Sequence, residues 1–208
     1  MKTLPDCRLY GILDTGYVAA DRMAMMAGSL IRGGVDILQL RAKKETPDQI
    51  LSICRDISPI CREAGIPFII NDHPALVREA GADGAHIGQE DGSVEEARIL
   101  AGPGAVIGKS THSLEQAKAT AAEAPDYIGF GPLFATPTKP DYLPIGTGDL
   151  AEVHHLLGLP IFCIGGITLS NLATVIAAGA KRAVIVSDLL CSPDPEVQTA
   201  DSKALLTR

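Results

Sequence analysis

Along this chain, short apolar runs of strand length alternate with longer segments in which apolar residues return at i, i+3 and i+4. The first pattern fits a buried strand and the second an amphipathic helix. The runs RLYGILD, DILQLRA, PFIINDH, GAHIG, AVIGKST, YIGFGPLF, IFCIGGI and RAVIVSD predict eight strands. Between them, SLEQAKATAAEA opens on a capping Ser113 with Glu115 in its first turn, and TLSNLATVIAAGA ends at Gly179, as a helix C-terminus should. DQILSICRDISPICREAG predicts a long helix kinked at Pro59, and PALVREA a short helical segment. Four junctions, GGVDILQL, AGADGAHIG, EAPDYIGFG and AGAKRAVIV, pass through small residues and a polar step into an apolar strand. One βα unit is thus reused. Uniform alternation implies a parallel sheet covered by helices, and eight units suit closure into a (β/α)8 TIM barrel of the α/β class better than an open doubly wound sheet. GFGPLF supplies only two of the three glycines of a dinucleotide fingerprint.

In such a barrel the C-terminal ends of all strands open on one mouth, so the polar residues there converge. The stretch FIINDHPALVREAGADGAHIGQED carries two apolar runs that break abruptly into Asn71, Asp72 and His73 and into Gln89, Glu90 and Asp91. Asp72 and Asp91 would end adjacent strands. Like charges about 4 Å apart repel by about 4 kcal/mol at an effective dielectric of about 20, and a divalent cation reverses that sign. Two carboxylates, with water and phosphate completing the shell, describe a Mg2+ site. Equally, each Asp could cap the helix that follows it. Gln39, Arg41 and Lys43 have strand spacing and would face the same way, an arrangement suited to phosphate oxygens, whereas Lys44 and Glu45 read as solvated charge. Ser110 and His112 end strand five. Thr136, Thr138 and Lys139 lie in a Pro-rich loop after strand six that could act as a lid. Gly165 and Gly166 after strand seven and Ser187 after strand eight occupy the place where barrels often bind phosphate. Of the histidines, His154 and His155 read as packing or surface groups, His86 as a satisfied core residue, and His112 has no evident nucleophile or acid partner in sequence.

Composition narrows the picture. With 208 residues, 46% of them hydrophobic, the chain can bury a full core, and no boundary interrupts a single domain over residues 1–208. A net charge of −7 argues against nucleic acid and against an anionic membrane surface as partners. Cys7, Cys54, Cys61, Cys163 and Cys191 are odd in number and lack a C-x-x-C pair, which suits reduced thiols in a cytoplasmic protein. No apolar stretch approaches bilayer length. Oligomeric state is left open, a homo-oligomer included.

The pieces QLRAK, INDH, GAHIGQED, GKSTHSLEQA, DYIGFGPLFATPTKPD, IGGI and VS, in that order and over nearly the whole chain, make the sequence resemble the thiamine phosphate synthase family. The resemblance implies a (β/α)8 barrel that joins a hydroxymethylpyrimidine diphosphate to a hydroxyethylthiazole phosphate, or its carboxylate, and releases pyrophosphate. It implies Mg2+ on Asp72 and Asp91. It further implies pyrimidine diphosphate contacts at Gln39, Arg41, Lys43, Asn71, Ser110 and Lys139, with Arg41, Lys43, Ser110 and Lys139 catalytic. Thiazole phosphate contacts fall on Thr136, Thr138, Gly166, Val186 and Ser187. Ala42 stands where the family commonly has a carboxylate, on the side facing away from the mouth. Two rivals share the barrel: a thiazole tautomerase and a non-catalytic barrel that only binds a phosphate ligand.

Overall fold

The computed structural model describes residues 2–136, 138 and 142–207. All eight predicted strands form: β1 (Leu9–Asp14), β2 (Ile37–Arg41), β3 (Phe68–Asn71), β4 (Gly84–Ile87), β5 (Val106–Thr111), β6 (Tyr127–Phe130), β7 (Ile161–Cys163) and β8 (Ala183–Ile185). They pair in parallel in sequence order, and β8 returns to β1 to close the barrel. The open sheet is thereby excluded. The connecting helices are α1 (Met23–Arg32), α2 (Pro47–Ala64), α3 (Val94–Ala101), α4 (Leu114–Ala122), α5 (Leu150–Leu156), α6 (Leu169–Ala177), the short α7 (Ser187–Leu190) and α8 (Pro195–Leu206).

The predicted Ser113 cap is present, its hydroxyl accepting from Gln116 N at 3.1 Å. Gly179 follows α6 at φ 110°, as its place past a helix end demands. Helix α2 runs through Pro59 without interruption, held at its start by a reciprocal Thr46–Gln49 box and ended by a left-handed Gly65. The β3–β4 connection departs from expectation. PALVREA closes only into a 3-10 turn at Pro74–Leu76.

Two apolar layers result. One packs the outer faces of the strands against the helices through residues such as Leu13, Leu40, Ile57 and Val175, and it includes Ala42, which does point away from the mouth. The other fills the barrel interior with Tyr10, Ile12, Ile37, Ile69, Tyr127, Phe162 and Val184. The rings of Tyr10 and Tyr127 each meet Phe162 edge-on, at 5.3 and 5.5 Å between centroids. Gly108 has to be glycine, because a Cβ there would fall 2.0 Å from the Tyr127 ring.

The repeated helix-to-strand junction has a physical cause. Asp36, just before β2, accepts from Arg8 N at 2.7 Å and Leu9 N at 2.9 Å. Asp83, before β4, accepts from Phe68 N at 2.8 Å, and Asp126, before β6, accepts from Ile107 N at 2.7 Å. Each carboxylate thus satisfies the unpaired N–H at the entry of the preceding strand. Asp36 is fully buried and also pairs with Lys2 and Lys203, which ties both ends of the chain to the barrel floor. Burial works to raise its pKa, and the two ammonium groups with the backbone N–H groups outweigh it, so the net shift is downward.

Such a carboxylate stabilises the fold above its unfolded pKa of about 3.9, and the contribution disappears as pH falls through the lower folded value. Asp36→Asn is expected to cost about 3 kcal/mol at pH 7. Urea titrations should show that deficit narrowing progressively below about pH 4. A deficit unchanged in acid would assign the loss to packing instead.

Candidate active site

The polar strand ends gather at one mouth, in two cavities side by side. The first, of about 360 Å3, spans the ends of β2 to β5 and is lined by Arg41, Lys43, Asn71, Asp72, Asp91 and Ser110 among others. The second, of about 200 Å3, spans β5 to β8 and is lined by Thr136, Thr138, Gly166, Val186 and Ser187 together with apolar groups such as Ile164 and Ile167. Ser110 and His112 line both. The second includes Gly129 on β6, where a Cβ would lie 3.4 Å from the His86 ring.

In the first cavity neither acid caps a helix. The 3-10 turn after β3 starts on His73, with no side-chain cap, and α3 is capped by Ser93, which forms a reciprocal box with Glu96. Asp72 instead holds a left-handed backbone at φ 63°, its N–H donating to His86 O at 2.8 Å, and its carboxylate pairs with Lys43. Lys43 thus supplies positive charge to one of the two acids that line this cavity. Asp91 accepts from Gly88 N at 2.7 Å and so sits on a turn that its own side chain closes. That turn is pinned from behind by Lys109, which is buried between β5 and the helices and donates to Gly92 O and to Glu123, all at 3.0 Å.

Among the described residues, no cluster of three or more His, Cys, Asp or Glu is placed to hold a metal ion. The chain's contribution would therefore be the two carboxylates alone, an all-oxygen set that fits Mg2+ arriving with substrate phosphates and water.

Arg41 is fixed by Asp14 at the end of β1, with Nη1 to Oδ2 at 2.5 Å. Asp14 is almost fully buried, and its other oxygen accepts from Gly16 N at 2.8 Å. Gln39 shares the inward face of β2 but lies one layer deeper. It is 2% exposed, donates from Nε2 to Tyr10 OH at 2.7 Å, and borders a small void beneath the mouth with Arg41, Asn71 and Ser110. Gln89 turns its amide to Ser110 O at 2.6 Å and so braces β5.

In the second cavity, Gly165 and Gly166 take φ 100° and 61°. A Cβ on Gly166 would meet Ala135 O at 2.6 Å, and one on Gly165 would meet Pro132 at 2.3 Å. The pair is needed partly because the loop after β6 lies directly on it. Thr138 bonds Tyr17 OH at 3.0 Å across the mouth, and His112 packs its ring on Tyr142 at 4.7 Å while its Nδ1 lies 2.5 Å from Gly131 O. Lys139 lies outside the described residues. His154 is packed near Cys163 Sγ, and burial pushes its pKa down to about 4, so it is a neutral packing group. Burial pushes the Cys54, Cys61 and Cys163 thiols up to about 12, which leaves no ready thiolate among them.

Residues 9–189 match the family model described as thiamine monophosphate synthase. The chain belongs to that family. Among relatives in the synthase family, the thiamine-phosphate synthase of Laribacter hongkongensis is 38% identical over 207 residues, covering 99% of this chain and 98% of its own. That of Roseiflexus castenholzii is also 38% identical, over 88% of this chain and 84% of its own. A solved thiamine phosphate pyrophosphorylase from Pyrococcus furiosus superposes with a TM-score of 0.87 at 26% identity, covering 97% of this chain and 96% of that one. A 3-hexulose-6-phosphate synthase from Salmonella typhimurium, with a TM-score of 0.72 at 16% identity, shares the fold.

Of the residues that the resemblance divided between two substrates, Arg41, Lys43 and Asn71 line the first cavity, Thr136, Thr138, Gly166, Val186 and Ser187 line the second, and Ser110 lines both, while Gln39 borders the void beneath and Lys139 lies outside the described residues. Two contributors escaped the sequence reading. Asp14 carried a usable signal, since RLYGILD ends in acid as the two noticed strands do. Lys109 carried none, for a lysine in GKST does not reveal that it faces the helices.

Proposed function

We propose that this member of the thiamine monophosphate synthase family makes thiamine phosphate by joining the two substrates across the divided mouth. The hydroxymethylpyrimidine diphosphate takes the cavity over β2 to β5. The hydroxyethylthiazole phosphate, or its carboxylate, takes the one over β5 to β8. What carries this reading is that partition: cations and acids on one side, hydroxyls, glycine backbone and apolar wall on the other, meeting at Ser110.

The C–O bond between the pyrimidine methylene and the diphosphate breaks with its electron pair leaving on pyrophosphate, and the thiazole nitrogen then bonds the methylene carbon; from the carboxylate form, CO2 also leaves and a proton takes its place. Arg41 offers its guanidinium fork, held in aim by Asp14, to the growing negative charge. Lys43 exchanges Asp72 for the diphosphate, and Asn71 and Ser110 orient it. Lys139 is assigned to the same oxygens by the family resemblance and its charge. Mg2+ on Asp72 and Asp91 would add positive charge against the leaving group. No nucleophile on the protein is required, which accords with the buried, protonated thiols of Cys54, Cys61 and Cys163. Thr136, Thr138, Gly166, Val186 and Ser187 hold the thiazole phosphate. Among the described residues no helix is long and apolar enough to cross a membrane. The reaction is assigned to the cytoplasm on the free cysteines, which suit a reducing compartment.

The test is to incubate purified protein with both substrates and Mg2+ and to follow pyrophosphate and thiamine phosphate together. Equal formation of the two is expected. Tautomerisation of the thiazole without coupling, or binding without turnover, would overturn the assignment. Removing one hydroxyl contact by Thr138→Ala should raise KM for the thiazole phosphate about fivefold, worth about 1 kcal/mol, with kcat little changed. A lowered melting temperature with unaltered KM would instead assign that hydroxyl to holding the loop through Tyr17.

A further inference from the structure

Beneath the mouth, five side chains from five different strands form one unbroken chain of hydrogen bonds through the barrel interior. Gln39 Nε2 lies 2.7 Å from Tyr10 OH, Tyr10 OH 3.0 Å from Tyr127 OH, Tyr127 OH 3.1 Å from His86 Nδ1, and His86 Nε2 2.8 Å from Ser110 Oγ. The chain begins and ends on residues assigned above to the pyrimidine diphosphate. Its middle members, Tyr10 and Tyr127, are fully enclosed and lie where the mechanism makes no use of them.

The direction of this chain follows from its first link. An amide nitrogen can only donate, so Tyr10 oxygen accepts from Gln39, and the buried Tyr10 hydrogen finds its acceptor in the Tyr127 oxygen 3.0 Å away. Tyr127 in turn donates to His86 Nδ1. With Nδ1 accepting, the neutral imidazole carries its proton on Nε2 and donates it to Ser110. Burial pushes both phenols well up, so they keep the protons that this order requires. A serine oxygen that already accepts from His86 has its own hydrogen left for the mouth, onto which Ser110 opens.

We propose that Tyr10, Tyr127 and His86 are positioning residues that fix Ser110 as a hydrogen-bond donor toward the diphosphate, through a one-way relay anchored on Gln39. This rests on the assignment of Ser110 to that substrate. A donor preset in this way meets the leaving oxygen without reorganising, and the linked bonds strengthen one another in an interior that holds little water. The stacking of His86 on Tyr127, 5.5 Å between centroids, fixes the ring plane that the relay needs. Gly108 is part of the same device, because only its bare Cα lets the Tyr127 ring reach the barrel axis.

The relay can be read without turnover. Nitrogen-15 NMR of imidazole-labelled protein, with the His86 signals assigned from a His86→Gln variant, should show the neutral Nε2–H tautomer. In Tyr127→Phe, which keeps the ring and loses the hydroxyl, that preference should weaken. The Nδ1–H tautomer in the unaltered protein would mean a chain running the other way, with Ser110 spent as a donor to His86, and would overturn the proposal.

Kinetics supply the second arm. Tyr127→Phe should lower kcat about tenfold with little change in KM for the diphosphate, whereas adding it to Ser110→Ala should cost nothing further. Independent, multiplying losses in the double variant would also overturn it, since Tyr127 would then act other than through Ser110. A protein that shows the Nε2–H tautomer but couples no substrates would uphold the relay's direction and refute the function assigned to the mouth.

Discussion

Asp72→Asn and Asp91→Asn are each expected to lower kcat/KM by about a thousandfold while the fold survives. Asparagine keeps the volume of aspartate and tolerates the left-handed backbone of residue 72, where alanine would add strain. The stability cost should be small. The Lys43–Asp72 pair is half exposed on its lysine side, and pairs of that kind are worth about 1 kcal/mol or less. At position 91 the amide oxygen can still accept from Gly88 N, so the turn is retained. What disappears is one of the two negative charges, and with it the reason for a divalent cation to sit between β3 and β4. Steady-state kinetics over a Mg2+ titration, with urea titrations alongside, separate the two effects. Full turnover in both variants would remove the acids from the site.

Arg41→Lys should cost about a hundredfold in kcat. Lysine keeps the charge but loses the planar fork, and it cannot span from Asp14 to the diphosphate with the same geometry. Asp14→Asn provides the complementary reading. It leaves a largely buried guanidinium without its carboxylate, so a loss of about 3 kcal/mol in stability should accompany the fall in kcat. Pyrophosphate release and urea titration on both variants check the pair. Wild-type kcat in Arg41→Lys, with reduced stability, would reduce Arg41 to a structural partner of Asp14.

The barrel was legible because each strand is a short apolar run and each helix carries its own boundary residues, information that lies within a few neighbours. The β3–β4 connection was misjudged for the same reason: PALVREA has a helical pattern, yet only Pro74–Leu76 closes, into a 3-10 turn. Period-two spacing correctly put Gln39 and Arg41 on one face of β2. Spacing says nothing about depth, and Gln39 proves to belong to the interior. The acids at 72 and 91 announced themselves by ending apolar runs, whereas the partners that hold the site in place are long-range. Asp14 meets Arg41 from the neighbouring strand, Lys109 reaches the turn of Asp91 from behind, and Tyr127 reaches His86 through space that Gly108 leaves. Such contacts exist only once the strands are in register.

The central claim is that the diphosphate and its metal occupy the β2 to β5 half of the mouth. Crystals grown with pyrophosphate and Mn2+ in place of Mg2+ test it most directly, since the anomalous signal locates the metal without reference to activity. The account predicts one peak within coordinating distance of a carboxylate oxygen from both Asp72 and Asp91, with pyrophosphate between it and Arg41. A metal elsewhere, or pyrophosphate lodged beside Gly166 and Ser187 with the two acids bare, would contradict it.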